Sequence, residues 1–421
     1  MKRKEVKKIL LILIVSTVLL SLFHIFRFLK TSLLPIYDQY LYKDFSVILP
    51  FIVSILNILI LYLILRQILK NDSERFFVLL LFIMSPIFIF VHGTLNNIYF
   101  SLTLILLSVF LILKEKHFFS VFVFLGAFWV NQNYVFLILI ILTIFLERNM
   151  VKNSFFPYIS IVFLIGLFTT FNNYNTYLNL HLIITDFISD FGAQIGFGVF
   201  SLILFSIGIL LSWKQKAKHR IFYFCMVSLF FMSLFDKDTL IFLNIFISLY
   251  GGFALYYIYK RKWSSENLKN YVIILIMCGL IFTSGSYIKK ISDSGPFESE
   301  YISLKWLSNL APGKVLSDYK FGHFIHSISN FDVYSDTNYY LYSDKSRINY
   351  YTKIFQSRNL EEIINFLENN NIKYIWINQE MKNSIWETEE QGILLILKNS
   401  KHFTKIYDYE VEIWEFNKHS N

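Results

Sequence analysis

The sequence predicts a polytopic α-helical membrane protein carrying a water-soluble α/β domain at its C-terminal end. Three observations predict it. Of the 421 residues 55% are hydrophobic and only 16% charged, with a mean hydropathy of +0.50, a balance foreign to soluble globular domains. Apolar windows of about 18 to 20 residues, enough to cross a bilayer core, recur from Ile9 to about Ile288 and then stop. Finally, the formal charge of +9 is unevenly placed. From residue 298 onward there are 13 Lys and Arg against 17 Asp and Glu, so of the totals of 39 and 30 the preceding part holds 26 against 13.

That excess clusters in alternate connectors: MKRKEVKK, Arg66 to Arg75, KEKH from Lys114, ERNMVK from Glu147, WKQKAKHR from Trp213 and YKRKW from Tyr259. Short Lys/Arg-rich loops stay cytoplasmic, so the charge reports topology and a nucleic-acid partner is excluded. Taken in order, about 11 transmembrane helices are expected, at 9–29, 46–66, 76–92, 98–113, 118–131, 134–147, 155–171, 195–212, 221–235, 239–258 and 271–288. The first has a basic flank but no small-residue cleavage site, so it reads as an uncleaved anchor. The fifth and sixth are short and share the tight turn VNQNY; an error of two spans there keeps the same parity. With a cytoplasmic N-terminus, residues 1–288 form the multi-span domain of a cell-membrane protein and 289–421 an extracytoplasmic domain. The external connectors are then 30–45, HGTLNN at 92–97, NQN at 131–133, 172–194 and FDKD at 235–238, nearly free of Lys and Arg.

Within 289–421 the pattern alternates. KWLSNL reads as a helix, GKVLSD as a strand after a Pro-Gly turn, FGHFIHSI as a short helix and FDVYSD as a second strand. LEEIINFLENN sets Leu360, Ile363, Ile364 and Leu367 on one helical stripe, IKYIWIN is a buried strand, another helix follows near Ile393, and HFTKIYDYEVEIWEF closes as a hairpin. Such regular alternation marks a small α/β domain.

Polar residues that an apolar loop would not need gather on the external side. Asp38 and Asp44 flank Tyr37, Tyr40 and Tyr42 in LLPIYDQYLYKDFSVILPF. In a helical connector six residues turn by about 240° and only one carboxylate faces a given cleft; in an extended one both share a face. Tyrosines beside interfacial charges also suit the membrane boundary. His92, Asn96 and Asn97 stand in VHGTLNNIYF, and Asn131 to Asn133 repeat the pattern; such amides commonly satisfy loop backbone. External cations are few: Lys237 between Asp236 and Asp238, Lys43, Lys30 and Lys289 or Lys290. A phosphate at that face would need one of them. The two cysteines, Cys225 and Cys278, lie in apolar segments and encode no disulfide or metal framework. No phosphate-binding loop, nucleophile elbow or zinc spacing is present, which removes ATP-driven transport, serine hydrolysis and metalloprotease chemistry.

The order of features resembles the GT-C superfamily of membrane glycosyltransferases that use polyprenyl-phosphate-linked sugars. An anchor precedes an external loop with the acidic Asp38; then come YLILRQIL and LFIMSPIFIFVHGTLNNIYFSLTLILLSVFLIL, where a Ser-Pro precedes an external polar turn. FLGAFWVNQNYVFLILI stands where relatives often carry a basic residue, which this chain lacks, and Lys237 in FDKDTLIF is the nearest match to an external Arg. YISLKWLSNLAPGKVLSDYKFGHFIHSISNFDVYSD is similar to the start of the external domain of archaeal-type oligosaccharyltransferases. There the place of Asp318-Tyr319-Lys320-Phe321-Gly322 holds a sequon-reading Trp-Trp-Asp-Tyr-Gly, of which only the Gly and an aromatic survive, so sequon reading is not supported.

The resemblance implies a transferase that moves a sugar from a polyprenyl-phosphate donor to a lipid, glycan or protein acceptor by inverting transfer. Asp38 would be the base with Asp44 as its fallback, Lys237 or Lys43 the phosphate partner, and His92, Asn96, Asn97 and Tyr42 substrate contacts. No cofactor is predicted; oligosaccharyltransferases of the superfamily use a divalent ion and many relatives do not, so metal dependence stays open. Two other classes share these features, a transporter or flippase for a lipid-linked glycan and a non-catalytic GT-C-like scaffold. Lys, Asp or Glu in mid-membrane would favour the first, and the spans carry almost none; the missing second acidic residue in HGTLNN favours the second.

Overall fold

A computed structural model describes residues 3–31, 48–93, 98–130, 187–193, 195–233, 239–292, 296–335, 353–386, 388 and 390–417. The chain divides into two compact units, Met1–Lys30 with Leu34–Ser294, and Gly295–Asn421 with Thr31–Leu33.

The first unit is helical: α1 (Arg3–Thr31), α2 (Leu49–Ile68), α3 (Asp72–Ile83), α4 (Pro86–Gly93), α5 (Ile98–Leu113), α6 (His117–Val130), α7 (Val199–Ser212), α8 (Lys216–Ser233), α9 (Leu240–Lys260) and α10 (Glu266–Ser292). Among the described residues four helices are long and apolar enough to cross a membrane, or five if the bent pair α3–α4 makes one span. Three shorter apolar helices accompany them, Tyr99–Leu113, Val199–Ser212 and Phe222–Phe231. The expected spans at 134–147 and 155–171 lie outside the described residues.

The span expected at 76–92 is not one straight helix. It bends by 62° between α3 and α4, because Pro86 has no N–H for the carbonyl of Phe82. Ser85 repairs the break: its hydroxyl donates to Phe82 C=O (2.9 Å) and accepts from Phe88 N–H (3.1 Å), so it starts α4 as a side-chain cap. Two neighbouring helices then hold the bend. Asn244 of α9 donates to Ser85 Oγ (2.8 Å), and the Ser284 hydroxyl of α10 is shared between Met84 C=O (2.6 Å) and Leu280 C=O (2.8 Å). In an apolar surround every freed backbone group has to be met by the protein itself.

Small residues let α9 sit close to its neighbours. A Cβ on Gly208 of α7 would stand 2.0 Å from Tyr250 O, and one on Gly252 would stand 2.5 to 2.6 Å from Val78 of α3. This is the close-approach packing that helices use where no hydrophobic force drives them together.

Helix α1 runs antiparallel to α2: Glu5 meets Tyr62 near one end and His24 meets Phe51 near the other. Its buried residues, Glu5, Ile9, Ile12, Ser16, Leu20, Phe23, His24 and Arg27, recur every three or four positions and form one stripe. At its start Glu5 accepts from Tyr62 Oη and from Arg75 (2.9 Å), and Arg75 also reaches Asp72 (2.5 Å). Lys8 donates to Ser73 (2.9 Å). The basic N-terminal end is thereby stapled to α2 and α3.

The second unit contains α11 (Glu298–Leu307), β1 (Lys314–Leu316), α12 (Tyr319–Ser329), β2 (Asp332–Val333), α13 (Leu360–Asn369), β3 (Ile372–Ile377), α14 (Gln379–Ile385), α15 (Gly392–Asn399), β4 (Phe403–Asp408) and β5 (Glu412–Phe416). The five strands form one sheet in the order β2-β1-β3-β5-β4, parallel across β2, β1 and β3 and antiparallel across β3, β5 and β4. Each element expected here from alternation is present, and α14 is an addition that the reading did not separate. Its start is set by Asn378, whose side chain accepts from Met381 N–H (2.9 Å). Asp318 and Asn359 begin α12 and α13 in the same manner. The core joins Leu304, Leu307, Val315, Ile325, Ile363, Leu367, Ile375, Trp376 and Ile413, all buried.

Candidate functional site

At the end of the helical unit remote from Glu5, His24 and Arg27 of α1 and His92 of α4 are buried. Phe23 of α1 packs with Ile89 of α4 and with Tyr287 and Ile288 of α10, and its ring would lie 3.1 Å from a Cβ on Gly93. The late part of α1, the start of α2, the end of α4 and the end of α10 therefore meet.

Of the residues given a role by the family resemblance, His92 is the one the structure describes. The reading placed it at the start of an external turn; the structure keeps it inside α4, 1% exposed. Its Nδ1–H donates to Phe88 C=O (2.9 Å), which leaves Nε2 to accept from Asn57 Nδ2–H of α2 (3.0 Å). With both ring nitrogens used, the imidazole is neutral and fixed. Asn57 itself is fully buried, and its Oδ1 has no hydrogen-bond partner among the described residues. Asp38, Asp44, Tyr42, Lys43, Asn96, Asn97 and Lys237 lie outside the described residues.

Lys290, one of the cations the reading offered for a phosphate, donates to the carbonyls of Gly192 (2.5 Å) and Ala193 (2.8 Å). It ties the short segment 187–193 to α10. In that segment Asp190 accepts from Val199 N–H (2.7 Å), where a carboxylate also favours the positive end of α7.

Two residues escaped the sequence reading. His24 and Arg27, three apart on α1, are 6% and 5% exposed and face inward. The signal was present, as two ionisable side chains in an otherwise apolar run, but the length of the run absorbed them into an anchor. No three of His, Cys, Asp or Glu come together to hold a metal ion among the described residues, so no metal role is assigned to them.

In the second unit the stretch similar to an acceptor-reading motif is used internally. The Asp318 carboxylate caps α12 by accepting from Lys320 N–H (3.1 Å), and Phe321 packs against Trp376 at 5.5 Å between ring centroids. Nearby, Glu412 accepts from Lys382 (2.8 Å), Lys405 (3.1 Å) and Trp414 Nε1–H (3.0 Å). Burial pushes its carboxyl up, but those donated hydrogen bonds prevail and hold it below the ordinary glutamate value.

These features describe a helical unit with apolar helices long enough to cross a membrane, followed by a C-terminal sheet domain. Solved structures of the oligosaccharyltransferase of Archaeoglobus fulgidus share that fold. The AglB complex with an inhibitory peptide and a dolichol-phosphate matches 99% of this chain and 74% of that one, at a TM-score of 0.55 and 11% identity. The apo crystal structure matches over 79% of this chain at a TM-score of 0.51 and 13% identity, and this chain spans 58% of its length. A complex with zinc and sulfate gives 0.50 and 12% over 79% of this chain and 56% of that one. No protein-family model and no curated protein matches the sequence.

Proposed function

We propose that the protein is a membrane glycosyltransferase that moves a sugar from a polyprenyl-phosphate donor to a lipid, glycan or protein acceptor at the outer face of the cell membrane. The observation that carries this reading is the likeness of 99% of the chain to an oligosaccharyltransferase whose structure holds dolichol-phosphate. Asp38, in the connector between α1 and α2, takes the proton of the acceptor as its oxygen attacks the anomeric carbon. The bond from that carbon to the phosphate oxygen breaks, and polyprenyl phosphate leaves as an anion that needs a nearby cation rather than an acid. Lys237 serves there, with Lys43 next in line; Asn96, Asn97 and Tyr42 contact substrate, and His92 braces the helix that precedes them.

The test is incubation of the purified protein with a panel of polyprenyl-phosphate sugars and candidate acceptors. Asp38→Asn keeps the shape and removes the proton acceptor, so transfer should fall by roughly 10²-fold or more, whereas Asp44→Asn does much less. Normal transfer by the Asp38 variant, or no transfer by the unaltered protein with any donor, refutes the assignment.

A further inference from the structure

We infer that the basic end of the helical unit carries a site for a zwitterionic aminophospholipid, in a cleft between α1, α2 and α3 where Lys8 and Arg75 hold the phosphate and Asp72 the ammonium. The inference rests on the reading of these helices as membrane-spanning and not on the transferase chemistry, in which none of the three residues takes part.

The cleft is shallow and open, and its polar side is formed by Glu5, Lys8, Asp72 and Arg75. Two carboxylates and two cations leave it without net charge, so its pattern complements a zwitterion better than a simple anion. The four groups are not equally spent. Glu5 is buried and accepts from Tyr62 and Arg75 (2.9 Å). Arg75 gives its Nη groups to Glu5, to Asp72 (2.5 Å) and to Lys70 C=O (3.3 Å), but its buried Nε–H has no hydrogen-bond partner. Buried donors are normally satisfied, so this one marks a missing acceptor. Lys8 spends one of its three N–H groups on Ser73 (2.9 Å) and stands 6.0 Å from the centre of the Phe76 ring. The Asp72 side chain is 41% exposed and meets Arg75 through Oδ1, which leaves Oδ2 facing the cleft mouth as an acceptor.

A phosphate at that mouth takes charge-assisted hydrogen bonds from Lys8 and the Arg75 Nε–H, and a primary ammonium a few bonds away donates to Asp72. Position supplies the lipid. The apolar wall of the cleft is Ile9, Ile12 and Leu79, and the adjoining face of α1 presents Leu10, Leu11 and Ile14, each about half exposed, a surface suited to acyl chains. Its level is that of the Lys/Arg-rich flank MKRKEVKK, where headgroups meet the hydrocarbon boundary. A trimethylated ammonium carries the charge but has no N–H to donate, so phosphatidylethanolamine is preferred to phosphatidylcholine.

The full-length protein is purified in detergent, and its thermal unfolding is followed in micelles doped with phosphatidylethanolamine, phosphatidylcholine or phosphatidylglycerol, or with soluble phosphoethanolamine added. Phosphatidylethanolamine should stabilise most, with an apparent affinity roughly threefold above that of phosphatidylcholine, the size expected of a partly exposed charged pair. Asp72→Asn should erase that preference while still accepting from Arg75. Lys8→Gln should weaken both lipids alike, whereas Lys262→Gln, at an exposed cation between α9 and α10, should change neither. Both cleft variants leave the Arg75–Glu5 pair in place, and the lipid series on the unaltered protein carries the test should one of them not fold.

Equal stabilisation by phosphatidylethanolamine and phosphatidylcholine, or a preference that survives Asp72→Asn, overturns the inference and leaves the transferase reading standing. An equal response to phosphatidylglycerol overturns the zwitterion assignment, and equal losses in Lys8→Gln and Lys262→Gln reduce the site to diffuse attraction and overturn it. Soluble phosphoethanolamine acting as strongly as the lipid overturns the membrane source. A protein that stays monomeric in buffer without detergent removes the membrane reading on which both proposals stand.

Discussion

Ser284→Ala is the sharpest probe of how the broken helix is held. Met84 C=O would ordinarily accept from Phe88 N–H one turn on, but that N–H is engaged by Ser85 Oγ. The hydroxyl of Ser284, fully buried on α10, reaches the carbonyl instead at 2.6 Å. Removing it orphans a carbonyl that no water reaches, a loss of about 1 to 3 kcal/mol in protein interiors. Interhelical hydrogen bonds in membrane proteins average nearer 0.6 kcal/mol, with a maximum of about 1.7. Since Leu280 C=O keeps its place in the α10 ladder, only the Met84 half is at stake, and about 1 to 1.5 kcal/mol is expected. The assay is unfolding of the full chain in mixed micelles, carried out as a double-mutant cycle with Ser85→Ala. Losing the Ser85 hydroxyl frees Phe88 N–H to return to Met84 C=O, so Ser284→Ala should be less damaging in that background, by about 0.5 to 1 kcal/mol. Strict additivity, or no loss in the single variant, would refute the account of the break.

Other outcomes are equally direct. Lys237→Ala should weaken use of the lipid-linked donor by about 1.5 to 3 kcal/mol, the worth of a charged hydrogen bond, with Lys237→Arg keeping most of it; unchanged donor affinity in the Ala variant moves the role to Lys43. A reporter fused after Asn421 should be active only outside the cell, and cytoplasmic activity would mean that an odd number of the expected spans is wrong. Glu412 titrates below its ordinary value in the fold, so its stabilising contribution is complete above the unfolded glutamate value of about 4.3 and is lost as pH falls through the lower folded value. Hydrogen exchange in the hairpin 403–416 should therefore rise in that acidic window, and Glu412→Gln should make it fast already at neutral pH; a pH-independent exchange pattern in the unaltered protein would contradict the sign.

Sequence alone determined the helical membrane part and the elements of the C-terminal domain. Both rest on local pattern: runs long enough to span hydrocarbon, a stripe at Ile363 and Leu367, a short apolar run from Ile372 to Ile377. Each needs no knowledge of distant neighbours. Ser85-Pro86 was read within a single span at 76–92, and the 62° bend is held by Asn244 and Ser284, whose bonds to Ser85 and Met84 cross 159 and 200 residues of chain. His92 was legible as a polar residue of interest, not as a buried imidazole shared with Asn57, because only packing of α4 on α2 turns a loop candidate into an interior one. His24 and Arg27 show the same limit from the other side. Within an apolar run they read as tolerated exceptions of an anchor, and the face of α1 they occupy acquires meaning only when α2, α4 and α10 close around it and remove the water that would otherwise have solvated them.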